Sequence, residues 1–400
     1  MLLSTHSYSF SDSDFASLSK WTNEELNNVC LSIWINSNDM RIAVCPAPIS
    51  NSESEKNAPK KAINVPAFKV SKSSDVHEKF HSISAVFAQH NCTVVFATMS
   101  FAGPVSQDHV VMTNWQCEAR ERVIHFTQLP FDVFPLDRRK FINDLEAASY
   151  GIIAKESVFS EVFEQLFVEN DNIEEEEEMK LDGSSLVLSI GSGFGASYIC
   201  RSGCNDYNCV VSSEAGHCQV ILCSNKDPMY QTELSFIKFV SQKLHGGSHQ
   251  PEWEDLCATK GLVLAYMFLK LQKNPNQTEF LNYDEIREMA LKNDDKDAII
   301  AFKLHFRFIM RAAQTLCLGI PCQRVFLISS SQVKNYEIIK SIIHELKIVF
   351  EDHPRSDWFK NIKVYTQKAL SNFSLSGGLF LSKNLAKLHR RESHFILNDK

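Results

Sequence analysis

Four hundred residues, 44% hydrophobic and 22% charged, exceed one ordinary core and predict two or three domains of globular composition. The formal net charge of -7 argues against a partner read through nucleic-acid phosphates, which needs a basic face, and no apolar stretch is long enough to span a bilayer. The Ser-, Asp- and Asn-rich first thirty residues read as a loose tail and not a signal peptide, so the twelve cysteines are expected mostly as reduced thiols in a cytoplasmic protein.

From Val29 to Val44 an apolar run, the polar Asn36-Ser-Asn-Asp39 and a second apolar run predict a β-hairpin. Residues 50–62, with turn formers and mixed charge, read as a solvated loop. Cys92 to Ser100 is β-branched and nearly continuously apolar, which predicts a buried strand. It runs into Phe101-Ala-Gly-Pro-Val105, a turn at the strand's carboxyl end, where α/β sheets collect ligands. Phe141-Ile-Asn143 is strand-like, and the residues from Leu145 to Gly151 have helical character. Glu169 to Lys180 contains five consecutive glutamates, Glu174 to Glu178, whose self-repulsion predicts an exposed insertion. Ser184 to Ile190 predicts a strand, Gly191-Ser-Gly-Phe-Gly195 a turn and Ala196 to Cys200 the returning strand. Helices are expected from Glu254 to Lys273 and from about Asp297 to Cys317. Arg324 to Ser329 predicts a buried strand, and Gly377-Gly378 opens a closing helix. The alternation argues for α/β lobes, with no internal repeat evident.

Several residues carry possible chemistry. Asp144, between a strand-like run and a helix, suits a general base at a strand end, although a helix cap is its ordinary reading. Asn114 offers an amide donor and acceptor to a hydroxyl, or a turn residue. Glu214-Ala-Gly-His217 can aim a carboxylate and an imidazole into one pocket if Gly216 makes the turn tight; alone it reads as a surface loop. Glu254 is a further hydroxyl acceptor or a charge near a helix start. Three glycines in Gly191-Ser192-Gly193-Phe194-Gly195 let backbone amides approach an anion, with the Ser192 hydroxyl beside them. Cys200, Cys204 and Cys209, with His217, Cys218 and Cys223 downstream, are zinc-preferring types. Their spacing lacks a second clean pair, so a cysteine-rich hairpin is the plainer reading and no metal site is assigned.

In order, these segments resemble the bacterial-type and protist glucokinases of the hexokinase–actin-like ATPase superfamily. The matching stretches are Ala102 to Trp115, Phe141 to Gly151, Gly191 to Gly195, Glu214 to His217 and Trp253-Glu254 with Gly261-Leu-Val. Phe350-Glu-Asp, Val364-Tyr365 and Leu375-Ser-Gly-Gly-Leu are similar to the family's closing segment. The resemblance, over about residues 29–390, implies an α/β, two-lobed ribonuclease H-like fold with the active site in the interlobe cleft. A tail at 1–19, a small lobe at 20–138 joined by a C-terminal helix at 378–400, and a large lobe at 139–377 carrying the acidic insertion 169–180 follow from it.

The resemblance further implies ATP-dependent phosphorylation of glucose at its 6-hydroxyl. Asp144 falls on the catalytic base. Asn114, Asn143, Glu214, His217 and Glu254 fall on sugar-contacting positions. Gly191, Ser192, Gly193 and Gly195 fall on a phosphate loop, with Ser192 in place of a threonine. ATP and Mg²⁺ are the implied cofactors and glucose and ATP the partners, with no nucleic acid or membrane; a homodimer is left open. The departures lie on the nucleotide side. Where the family reads Asp-x-Gly-Gly-Thr, this chain has Trp34-Ile-Asn-Ser-Asn38, and Ser329-Ser-Ser331 stands in place of a glycine pair. The alternative they raise is a sugar-binding pseudokinase, a sensor or scaffold without productive ATP binding.

Overall fold

The structure, a computed structural model, describes residues 15–36, 38–48, 62–168, 181, 183–201, 208–222 and 224–398. Most of the expected solvated loop, the acidic insertion, Cys204 and Cys223 lie outside them. The chain divides into two compact units, residues 1–154 with 372–400, and residues 155–371.

The first unit opens with helix α1 (Asn23–Leu26), capped reciprocally by Thr22 and Glu25. There follow β1 (Val29–Ile35), β2 (Asp39–Pro46), β3 (Ile63–Lys69), α2 (Ser73–Gln89), β4 (Val94–Phe101), β5 (His109–Val111), β6 (Val123–His125), β7 (Arg139–Asn143) and α3 (Asp144–Ile153). The main sheet has the order β3-β2-β1-β4-β7, with β1, β4 and β7 parallel and the β1–β2–β3 meander antiparallel. Arg139–Asn143 is thus the fifth strand of this first sheet, and the division falls after Ala154, where the sequence reading put it after residue 138. The length of the β4–β7 connection hides that pairing.

In the second unit come α4 (Phe159–Val162), β8 (Phe163–Gln165), β9 (Ser185–Ile190), β10 (Phe194–Arg201), β11 (Asn208–Ser213), α5 (Tyr230–His245), α6 (Trp253–Cys257), α7 (Thr259–Lys273), α8 (Tyr283–Lys292) and α9 (Lys296–Gly319). Then follow β12 (Arg324–Ile328), α10 (Ser330–Lys334), α11 (Tyr336–Ser341), α12 (Ile343–Glu351), α13 (Ser356–Phe359) and β13 (Lys363–Gln367). Its sheet runs β11-β10-β9-β12-β13-β8. Again an antiparallel meander, β9–β10–β11, is followed by two strands parallel to its first, β12 beside β9 and β13 beside β12. Five strands of the second sheet therefore repeat the order of the first, with β8 added antiparallel at the edge; the sequence does not betray this because a repeat of hydrogen-bonding order leaves no repeat of residues.

The core of the second unit is built around α9, whose Phe302, Phe306, Phe308 and Ile309 are buried. On the same helix Arg307 and Arg311 are buried against Glu233 at 2.7 and 3.0 Å, and both reach Asp227. The expected helix from Glu254 to Lys273 is two helices, because Ala258 turns to extended backbone between α6 and α7.

The chain returns to the first unit as α14 (Phe373–Asn398), which starts before the glycine pair expected to open it. Its glycines serve packing. On β1, Leu31, Ile33 and Ile35 face the α2 side with Val76, Phe80 and Ile83, whereas Ser32 donates to Leu375 O of α14 at 3.0 Å. Thr98 on β4 donates to Gly378 O at 2.7 Å and Ser382 to Phe96 O at 2.8 Å. A strand covered on both faces must satisfy its polar side chains internally, and here helix and strand carbonyls supply the acceptors.

Candidate active site

In each unit several of the expected site residues stand at the carboxyl edge of strands that run in one direction, where main-chain groups stop pairing and ligands can approach.

In the first unit β1, β4 and β7 end together: Ile35 is opposite Phe101 and Phe101 is opposite Asn143. Asn143 is the N-cap of α3, its side-chain oxygen accepting from Leu145 N at 2.8 Å while its amide donates to Gly103 O at 3.3 Å. The cap is therefore Asn143, and Asp144 is the first helical residue. That placement puts Asp144 in the first turn of α3, where the helix dipole presents its positive end. Its carbonyl is held by the Ser374 hydroxyl of α14 at 2.9 Å. Two residues on, burial raises the pKa of the Glu146 carboxyl, opposed by Lys140 and a hydrogen bond from the Asn143 backbone amide. Gly103 lies against β5, where a Cβ would come within 2.8 Å of Val111 O. Asn114 is exposed three residues past Val111.

In the second unit β10 is antiparallel to both β9 and β11, so those two run in the same direction and Ala196 faces Leu188 on one side and Ser213 on the other. The turn after β9 and the turn after β11 consequently share an edge. After β9, Gly191 N donates to Gly193 O at 2.9 Å, closing a tight turn with Ser192 exposed at its tip and Gly195 already on β10. A Cβ on Gly193 would lie 2.8 Å from Glu254 Oε2, and the same oxygen accepts from Phe194 N at 3.1 Å. Glu254 Oε1 meets Lys260 at 3.5 Å.

After β11, the 3-10 turn Ala215–His217 presses on β10, where a Cβ on Gly216 would come within 2.0 Å of Phe194 O. Gly216 thus permits the tight turn that aims Glu214 and His217 to one side. Ala215, at a position where the resemblance expects glycine, packs its methyl into the apolar core of the unit. His217 Nε2 is 3.9 Å from Glu214 Oε2, and Nδ1 is 2.7 Å from Glu252. The Glu252 hydrogen bond raises the His217 pKa, with Glu254 and Glu214 adding to it and burial opposing. Gly191 to Gly195, Glu214, His217 and Glu254 so form one contiguous set. Glu252 and Lys260 are the members that sequence reasoning missed; only the cap-like Glu252-Trp-Glu-Asp255 spacing hinted at an ordered Glu252.

A sequence model of the glucokinase family matches residues 51–333. Glucokinase 1 of Trichomonas vaginalis is 34% identical over 294 residues, 72% of this chain and 77% of that relative. The chain belongs to the glucokinase family. Glucokinase of Balamuthia mandrillaris, solved in complex with glucose, superposes with a TM-score of 0.78 at 24% identity, covering 93% of this chain and 99% of that one. A ROK family glucokinase from Streptomyces griseus, solved with glucose and AMPPNP, does so at 0.52 and 14% identity, over 89% and 100%. These likenesses carry the fold, the α/β ribonuclease H-like arrangement of the actin-like ATPases.

Within a glucokinase-family chain the turn after β1 is the unusual part. The Asn36 side-chain oxygen accepts from the amides of Asn38 at 2.8 Å and Asp39 at 2.6 Å, and Asn36 N donates to Asp39 O at 2.9 Å. The Asn36, Asn38 and Asp39 amides, which could otherwise reach a phosphate, are here satisfied by the protein itself. The Asp39 carboxylate pairs with Lys69 at 2.9 Å. The turn therefore does not fit a protein-held Mg²⁺, and among the described residues no group of three His, Cys, Asp or Glu side chains could hold a metal. After β12, Ser329 takes φ 155°, a conformation that favours glycine, where the sequence reading noted a lost glycine pair. Gln367 offsets this by accepting from Ser329 N at 2.9 Å.

Proposed function

We propose that this chain transfers the γ-phosphoryl group of ATP to the 6-hydroxyl of glucose. Asp144 takes the proton from that hydroxyl as the oxygen attacks phosphorus and ADP leaves. Asn114, Asn143, Glu214, His217 and Glu254 are the hydroxyl contacts, and the turn of Gly191, Ser192, Gly193 and Gly195 is the anion site, with the Ser192 hydroxyl and the Ser192 and Gly193 amides as its donors. The observation that carries this reading is the contiguity of Glu214, His217 and Glu254 with the glycine turn in one unit, in a chain of this family. The glucose and AMPPNP held by the Streptomyces griseus protein support the substrate pair. Mg²⁺ would arrive with the nucleotide phosphates, and no step is assigned to it. We place the reaction in the cytoplasm: Cys30 and Cys45, opposite one another on β1 and β2, are both free thiols.

The self-satisfied Asn36 turn favours one second reading, a glucose-binding pseudokinase. A coupled assay for glucose 6-phosphate, wild type beside Asp144→Asn, separates the two. Turnover by the wild type that falls by roughly 10²–10⁴ in the variant, with glucose binding kept, supports the kinase. Absence of turnover in a wild type whose melting temperature still rises with glucose overturns it in favour of the pseudokinase.

A further inference from the structure

His217 is an exposed imidazole ringed by acids, and its orientation rests on one of them. Segment 218–220 pairs with 251–253: Gln219 bridges Glu252, Trp253 N donates to Cys218 O at 3.0 Å, and Val220 N to Pro251 O at 3.1 Å. This short ladder fixes the distance between the turn carrying His217 and the residue starting α6. Glu252 is the N-cap of α6, and its amide donates to Asp255 Oδ2 at 3.1 Å, so its backbone is anchored independently of His217. Asp255 is in turn held by His245 at 2.9 Å and Lys260 at 3.0 Å.

An ionised carboxylate can only accept, so the 2.7 Å contact assigns the Nδ1 hydrogen to His217. In the neutral ring Nε2 is then an acceptor, next to the Glu214 carboxylate at 3.9 Å. A pair of acceptors at that spacing suits two neighbouring sugar hydroxyls, each donating to one. We propose that Glu252 is a positioning residue of the sugar site: by accepting from Nδ1–H it locks the ring and presents Nε2 to a glucose hydroxyl. The proposal rests on the sugar-binding reading of Glu214 and His217 given above. A ring without that partner is free to flip or change tautomer, and the ordering then has to come from the binding energy of glucose. The charged groups facing the ring are Glu214 on its own turn and Glu252 and Glu254 from α6, with Lys260 of α7 against Glu254.

Two variants test it, Glu252→Gln, which removes the charge, and Glu252→Asp, which withdraws the carboxylate by one methylene yet remains a favourable cap. In both, the KM for glucose should rise about tenfold at pH 8, with kcat changed by less than about twofold. The titration midpoint of the His217 imidazole, read by NMR, should fall in Glu252→Gln, while the melting temperature of Glu252→Asp stays at the wild-type value. An unmoved His217 titration overturns the proposal. So does a moved titration with unchanged KM and unchanged calorimetric affinity for glucose, and that result leaves the kinase reading intact. A wild type that neither turns over nor binds glucose removes the kinase reading, and the proposal falls with it.

Discussion

At the residue scale, three side chains take a role their local sequence leaves open. Asn143 and Asp144 are both good caps, and the pattern of strand then helix allows either. The structure gives the cap to Asn143, whose amide also reaches Gly103, and makes Asp144 the first residue of the helix. Asn36 is the third, and its two accepted amide hydrogen bonds explain how the β1–β2 turn closes without glycine. Because those amides are otherwise phosphate donors, Asn36→Gly should lower the KM for ATP by roughly tenfold and leave the KM for glucose unchanged, measured by varying each substrate in turn. Loss of the turn should also cost about 1 kcal/mol of stability, readable as a lower urea midpoint. An unchanged KM for ATP would mean that this turn is remote from the bound nucleotide.

Among the elements, α14 decides where α3 lies. A Cβ at position 377 would come within 1.8 Å of Ala147 O, and one at 151 within 2.2 Å of Phe373 O. The two helices meet at backbone contact, and Ser374 adds a hydrogen bond to the carbonyl of Asp144. Gly377→Ala must therefore push the helices apart. We expect a loss of about 3 kcal/mol or more in urea denaturation, with a lower kcat and a raised KM for glucose, since Asp144 and the neighbouring sugar contact Asn143 are displaced together with α3. Gly377→Ala with wild-type stability would show that the helices are not in backbone contact. Sequence reading saw the glycine pair as a helix start, because a glycine's packing role depends on a partner more than two hundred residues away.

For the whole molecule, acid stability carries a readable signature. His305 is fully buried in α9, donating from Nδ1 to Leu256 O at 3.0 Å, and burial pulls its pKa down to about 4. The unfolded chain binds that proton below about pH 6.5, so the native state loses stability as pH falls from there and stops losing it below the folded value. The loss amounts to about 3 kcal/mol between pH 7 and 4. Urea midpoints of wild type and His305→Gln should accordingly converge or cross on acidification; parallel curves would mean that His305 is hydrated and titrates normally. The sequence by itself determined the strands at 94–101, 185–190 and 324–328, the β1–β2 and β9–β10 hairpins, the long helix at 296–319 and the family, because each is written in local apolar periodicity or in short ordered motifs. Tertiary structure alone decided the pairing of β7 with β4, the repeated sheet order and the approach of Glu252 to His217. Those features join residues distant in sequence, and neither propensity nor spacing records which distant carbonyl or carboxylate a side chain will meet.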